Sequence, residues 1–490
     1  MAQAIKTKIT SGILWSVLMR WSMKFIGLIS TIILARILVP EDFGLVAMAT
    51  LVIGLIEEFS TVNISLLLIR VKGDDRSHND TAWTVGILQS IFVAALLFLL
   101  APFAADYFND PRVVDVVYVL ALTKIIVGLQ NIGIILARKE LNFALDYRFI
   151  IYRRLAIFFP VLILALVLGD YWAIVYGTLI GEVVGVILSY TMHSYRPRFC
   201  TVHLAEYVKF AIPMIPMAIA KLLNDKFDVI VVGGNTGTAQ MGIYNIANEL
   251  GSIFTKEVIL PTTRGLFPNF TRLAENREQF ISVFLLIVSA TLVFCVPVVA
   301  GMWLAVDDLV YVLLGEKWLE STVYLKWLVV FGAVTSVVAI MSEHPLIALK
   351  MEHTVNKLMW LRLAILAACV LVGYELNGIL GIAMGMAVSA LINLPLITLI
   401  VSYLLKVSFF KLTSTAVIPV FSATIMFLVI HFLLDPLITD LHQFIRLILI
   451  AGTGGLVYVS ILYGIWVLRK KPEGIEKIVS QKISGAIKRK

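Results

Sequence analysis

Cysteine is scarce: Cys200, Cys295 and Cys369 are the only three in 490 residues. Three cannot form a disulfide framework, and two of them lie in apolar runs, so no structural disulfide and no metal are expected. Charge is scarce too. Asp, Glu, Lys and Arg make up 15% of the chain, against roughly 25% in a soluble domain, while 60% is apolar. That balance excludes a disordered chain and an ordinary soluble enzyme, whose surface would carry large adhesive patches. It also removes nucleic-acid binding as the explanation of the +8 net charge. Long polar stretches are missing, so no soluble domain is inserted. Catalytic signatures are missing as well: there is no GxSxG, HExxH, Walker A or Cys/His cluster. Neither an enzyme nor a cofactor is expected. The first apolar stretch, from about Ser11, lacks a small-residue cleavage site and should be retained as a first helix.

What is present is a series of apolar runs of 20 or more residues that do not alternate in polarity. Such runs span a bilayer as helices, not as barrel strands. Fourteen spans are expected, near 11–36, 42–69, 81–104, 112–136, 149–168, 171–192, 207–233, 240–264, 279–303, 322–349, 357–373, 378–404, 412–434 and 444–468. Two connections, 169–170 and 374–377, are so short that twelve is the other count. The fold class is an all-α polytopic membrane protein. Lys and Arg in the loops set its orientation. With the N-terminus in the cytoplasm, only Arg36, Arg112, Lys317, Lys326 and Arg446 fall on the outer side. Both termini are therefore expected inside, with 469–490 as a basic tail able to meet anionic lipid.

One internal echo stands out. ARILVPEDFGLVAMA and VVGGNTGTAQMGIYNIA align with Gly44 over Gly242, an offset of 198 residues or six spans. Two six-helix lobes of the same orientation follow, 1–200 and 201–410, with two extra C-terminal helices at 411–468.

Fourteen ionisable residues fall at depth within the spans: Arg20, Lys24, Glu57, Glu58, Lys124, Glu182, Lys221, Asp225, Lys226, Asp228, Glu249, Lys256, Glu257 and Glu343. Each costs about 2.5–3.5 kcal/mol against lipid, on the order of 40 kcal/mol together. Most must therefore face one another or a wet cavity. The first, second, seventh and eighth spans hold eleven of them. Arg20 and Lys24 share a face, as do Gly54, Glu57, Thr61 and Ser65; Lys221, Asp225 and Asp228; and Asn245, Asn248, Glu249, Ser252 and Lys256. Lys124 and Asn131 are also in phase. A polar cleft lined by the first two helices of each lobe is expected. Arg20, Lys24, Lys124, Lys221, Asn245, Asn248 and Glu249 would hold substrate there, and Glu57, Glu58, Asp225 and Asp228 would serve ion coupling; Glu57 and Glu58 are equally placed to partner Arg20, Lys24 and Lys124. Arg20, Lys24 and Lys124 have no acidic neighbour on their own helices, and Arg153 and Arg154 lie at the cytoplasmic mouth, which points to an anionic substrate.

Plainer readings stand beside these. Lys221 and Asp225 have the spacing of an i,i+4 ion pair. Glu182 lies among Gly177, Gly181 and Gly185, where an interhelical hydrogen bond is as natural as a site. Glu343-His344-Pro345 reads as a proton site or a proline kink. Pro213 and Pro216 fit a bent helix beside a cavity. Trp318 and Trp327 suit head-group depth.

The segment from Leu34 to Ala47, matching LARxLxPxxFGxxA, and LLGEKW at Leu313 to Trp318 resemble the polysaccharide exporters of the multidrug/oligosaccharidyl-lipid/polysaccharide (MOP) superfamily. The resemblance implies a flippase of the bacterial inner membrane, moving an undecaprenyl-pyrophosphate-linked oligosaccharide by alternating access between two lobes. It implies a basic first helix, which Arg20 and Lys24 match. The partners it implies are the lipid-linked oligosaccharide, membrane lipids, and the glycosyltransferases and polymerase of the same pathway. The acidic residues leave room for a multidrug or organic-cation antiporter of the same superfamily. A membrane polysaccharide polymerase would need larger outer loops.

Overall fold

A lipid-facing backbone must satisfy its own hydrogen bonds, and uninterrupted apolar runs do so as helices. The computed structural model describes residues 2–60, 64, 67–68, 75–140, 142–212, 215–273 and 275–469, which contain no strand. Among the residues singled out above, Thr61, Ser65, Pro213 and the tail beyond Arg469 lie outside that set, as do the side chains of Lys256 and Glu257. The helices are α1 Ala2–Ile37, α2 Pro40–Ser60, α3 Arg76–Phe108, α4 Arg112–Gly128, α5 Gly133–Lys139, α6 Phe143–Leu168, α7 Trp172–Met192, α8 Leu204–Ala211, α9 Ile215–Asn235 and α10 Thr238–Leu273. They continue as α11 Arg277–Leu313, α12 Ser321–Ser342, α13 His344–Ala348, α14 Glu352–Leu405, α15 Phe409–Val429, α16 Asp435–Ile438 and α17 Gln443–Leu468. Among the described residues, nine stretches are long and apolar enough to cross a membrane, or ten if the bent pair α4–α5 is one span. One of the nine, α14, covers two of the expected spans, so fourteen is compatible with this. The chain divides into two compact units, 1–245 and 246–490.

In the first unit, local signals start and stop the helices. Asp75 caps α3 by accepting from the Ser77 amide, and Asn142 caps α6 at Leu145. Gly169, at φ 68, ends α6. The next helix returns alongside it. Glycines 177, 181 and 185 of α7 lie against Val161, Ile157 and Arg153 of α6, so the pair is an antiparallel hairpin joined at its short turn. The expected fourth span is broken: α4 and α5 meet at 57°. Asn131 sits in the break, donating to the Tyr195 carbonyl at 2.7 Å and accepting from the Gly133 amide at 2.9 Å. It satisfies loop backbone and does not continue the Lys124 face. Large apolar side chains such as Leu99, Phe103 and Leu166 point outward, as a lipid-facing surface requires.

The second unit has a core built on Phe270, Phe280, Phe284, Val338, Leu346 and Ile397. Its long helix α14 reverses direction at Asn377 (φ −149°) and Gly378 (φ 55°), where Gly373 and Gly381 touch. The positive φ at Gly378 makes this reversal possible. The expected spans 357–373 and 378–404 are thus two helices in tight apposition. Gly315, at φ 100°, turns the chain after α11, and the Trp318 side chain is fully buried in protein.

Candidate functional site

The charged positions of the first unit fall on α1, α2, α4, α6, α7 and α9. On α1, Arg20 and Lys24 are half-buried. This helix lies along α6: the Trp15 ring is 5.0 Å from that of Tyr147, and the Ser22 and Tyr147 hydroxyls are 3.3 Å apart. One turn beyond Lys24, Gly27 leaves room for the Arg154 guanidinium, which a Cβ at that position would approach to 3.0 Å. Arg154 therefore reaches from α6 towards the α1 face that carries Lys24. A third cation joins the expected pair through packing, with no signal in local spacing.

Two of the cations that point to an anionic substrate are held by carboxylates. Lys124 of α4 lies 2.8 Å from Glu57 of α2, with 27% and 42% of the two side chains exposed. Arg153 of α6 holds Glu182 of α7 with two 2.7 Å bonds. The sequence left Glu57 open as a partner for Lys124 and an interhelical bond open for Glu182, but it could not choose the pairs, because each partner is on another helix. The Arg153–Glu182 bridge spans the glycine-lined hairpin, so the interhelical reading of Glu182 is the one realised. Bidentate contact to a mostly buried carboxylate is the geometry that recovers the cost of desolvation.

The proposed ion-coupling residues divide. Glu57 is neutralised by Lys124, and Glu58 beside it is half-buried. Asp228 of α9 is fully buried and accepts from the Tyr244 hydroxyl at 2.9 Å. Lys221 and Asp225 lie on an exposed face of the same helix. Asn245 is half-buried in this unit. α9 packs on α3, where the Tyr107 hydroxyl donates to the Ile230 carbonyl at 2.9 Å.

In the second unit, Asn248 and Glu249 of α10 are half-buried, one turn before Gly251 packs against Leu325 and Leu328. Glu343 ends α12 and meets Arg362 at 3.1 Å. Proline 345 then starts the short α13, so the break at Glu343 is a helix boundary with a compensated charge.

A family model described as polysaccharide biosynthesis protein matches residues 33–323, more than half of the chain. This chain belongs to that family. Among relatives, the succinoglycan biosynthesis transport protein ExoT of Rhizobium meliloti is 25% identical over 317 residues. That match covers 63% of each chain, so less than two thirds of ExoT's length is spanned. The lipopolysaccharide biosynthesis protein WzxC of Escherichia coli is 22% identical over 407 residues, 80% of each. The fold is similar to that of the lipid II flippase MurJ in an inward closed conformation, with a TM-score of 0.71 over 93% of this chain and 99% of that one, at 13% identity. A multidrug resistance MATE family transporter of the MOP superfamily gives 0.61 over 80% of this chain and 99% of its own, at 17% identity. The described residues are thus helical, with several stretches able to cross a membrane, in a fold similar to those of MurJ and the MATE transporter.

Proposed function

We propose that this chain is a flippase that carries an undecaprenyl-pyrophosphate-linked oligosaccharide, a repeat unit of exopolysaccharide, capsule or O-antigen, across the cytoplasmic membrane. The observation that carries the reading is the basic face formed by Arg20, Lys24 and Arg154 where α1 meets α6. Cations at membrane depth are costly against lipid and are retained where they meet counter-charge or a wet cavity. A pyrophosphate with several sugars needs the same shelter, while its polyprenyl tail stays in lipid. The names of ExoT and WzxC, and the resemblance in fold to a lipid II flippase, support that substrate class.

The mechanism follows from differential binding. Two openings of similar energy interconvert, and the substrate biases them by binding one better than the other. The two lobes, 1–200 and 201–410, move against each other, with both termini in the cytoplasm and the basic tail at the inner surface. Asp228, Asp225 and Glu58 remain the carboxylates for ion coupling; Glu57 is committed to Lys124. That commitment weakens the organic-cation antiporter reading, which needs acidic groups facing a cationic substrate. No covalent step is required, so the protein transports without acting as an enzyme.

The test is deletion in an exopolysaccharide-producing host, followed by extraction of lipid-linked sugars from each leaflet. Cytoplasmic accumulation is expected, rescued by the wild-type gene and not by a stably inserted Arg20→Ala/Lys24→Ala variant. Normal leaflet distribution in the deletion strain would sink the reading.

A further inference from the structure

At the start of α3 the first unit gathers two histidines and two carboxylates that the basic face does not use. Asp75 and His78 come from the cap and first turn of α3; His203 and Glu206 come from the cap and first turn of α8. The two imidazole rings are stacked, with centroids 3.4 Å apart and planes 19° apart. His78 Nδ1 is 2.9 Å from Asp75 Oδ2, and His203 Nε2 is 3.9 Å from the same oxygen. One ligand atom from each of Asp75, His78 and His203 fits within 4.8 Å of the others.

We propose that Asp75, His78 and His203 form a binding site for a divalent transition-metal ion of the zinc class, with Glu206 orienting the rings. Two imidazoles and one carboxylate are a donor set for borderline metals and a poor one for magnesium or calcium, which take oxygen ligands. Ligands about 2 Å from a tetrahedral zinc ion are roughly 3.4 Å apart, a spacing these three atoms approach. An imidazole binds metal in its ring plane, so the two rings must turn out of their stack to meet one ion. The Ser77 hydroxyl, 2.9 Å from His203 Nε2, must then give way. Glu206 Oε2 lies 3.3 Å from His78 Nε2 and 3.8 Å from His203 Nδ1, the ring nitrogens turned away from Asp75. A carboxylate on the distal nitrogen is what fixes the tautomer and raises the basicity of a metal-binding histidine.

The scaffold behind the cluster is held in place. The segment leading to His203 is pinned to α3: the Arg198 amide donates to Asp80 at 3.0 Å, and the Cys200 amide to the Thr84 hydroxyl at 2.9 Å. The Tyr195 hydroxyl donates to Asp80 at 2.8 Å. A bound ion would clasp the start of α8 to the start of α3. Sequence gave no sign of this, since Asp-x-x-His and His-x-x-Glu lie more than a hundred residues apart.

The test is equilibrium dialysis of the chelator-treated, detergent-solubilised full chain, carrying a histidine-free tag, against zinc chloride, with metal counted by plasma mass spectrometry. One zinc per chain is expected for wild type and none for His78→Ala/His203→Ala. Glu206→Ala should keep the stoichiometry and weaken affinity about 10- to 100-fold. If the double variant misfolds, Asp75→Asn serves in its place: asparagine preserves the helix cap but is a poor ligand. It should bind zinc at least tenfold more weakly. Absence of zinc on wild type at tens of micromolar, or equal binding by the ligand variants, would overturn the proposal and leave the cluster a hydrogen-bonded clasp.

Discussion

Gly44 and Gly242 meet backbone to backbone in a reciprocal contact. A Cβ on Gly44 would strike the Thr238 carbonyl, and one on Gly242 would strike the Pro40 carbonyl. Thr238 follows Pro40, and Gly242 follows Gly44, by the same 198 residues. The contact therefore maps onto itself, as contacts about a two-fold axis do. The offset that aligned the two turns in sequence is the one that pairs them in space, which supports reading α2 and α10 as equivalent members of a repeat.

That contact tolerates no side chain. Gly44→Ala and Gly242→Ala should each destabilise the protein by about 1–3 kcal/mol, the range for overpacking a close-packed contact. The thermal midpoint of the detergent-solubilised protein reads the loss. Gly452→Ala is the control: nothing lies within 4 Å of that position in α17, and alanine should be neutral or gain up to about 1 kcal/mol. Equal midpoints for Gly44→Ala and Gly452→Ala would contradict the contact.

The Arg153–Glu182 bridge predicts strong coupling. Glu182→Leu leaves a guanidinium facing a nearly closed hairpin and should cost about 3 kcal/mol, the lower end for such a pair because the Arg153 side chain is 31% exposed. Arg153→Met/Glu182→Leu removes both charges and should recover most of that loss. A double-mutant cycle measures it. Additive effects of the two single changes would show that the bridge contributes nothing.

Asp110, in the turn between α3 and α4, makes a pH-dependent contribution. Its carboxylate accepts from Arg112 at 3.0 and 2.7 Å, and that side-chain bond holds its pKa below the usual aspartate range. A lowered folded pKa stabilises the protein above the unfolded value of about 3.9, and the gain is lost as pH falls through the folded value. The midpoint difference between wild type and Asp110→Asn should stay flat from pH 8 to about 5 and shrink below about 4. A gap that widens in acid would reverse the assignment.

The spans were legible because their signals are local. Apolar runs act within a few residues, and the Asp75 and Asn142 caps and the Gly169 stop, on which the expected spans do not rest, are equally local. The Asn377–Gly378 reversal was legible for the same reason, since it interrupts two apolar stretches. Pairing was not. Lys124 had Glu57 as one possible partner among several because the two are on different helices, and Asn131 kept helical phase with Lys124 across a break that periodicity cannot see. Trp318 carries the residue type of a lipid-facing interface side chain, yet it is fully buried in protein. His78 and His203 each look ordinary alone; tertiary packing stacks them.

Arg154 was seen in the sequence as a charge at the mouth of the first lobe, and its proximity to α1 makes the last prediction. Gly27→Leu places a side chain where the guanidinium now lies, and the flexible head must swing away. If Arg154 holds pyrophosphate together with Lys24, Arg154→Ala should cut export at least tenfold, the worth of a hydrogen bond to a charged group at about 1.5–3 kcal/mol. Gly27→Leu should produce a similar loss with Arg154 still present. Combining the two should add little, because both remove the same contact. Export is scored as lipid-linked oligosaccharide reaching the outer leaflet, normalised to inserted protein. Independent, multiplying losses would mean that Gly27 matters for helix packing alone and that Arg154 acts elsewhere.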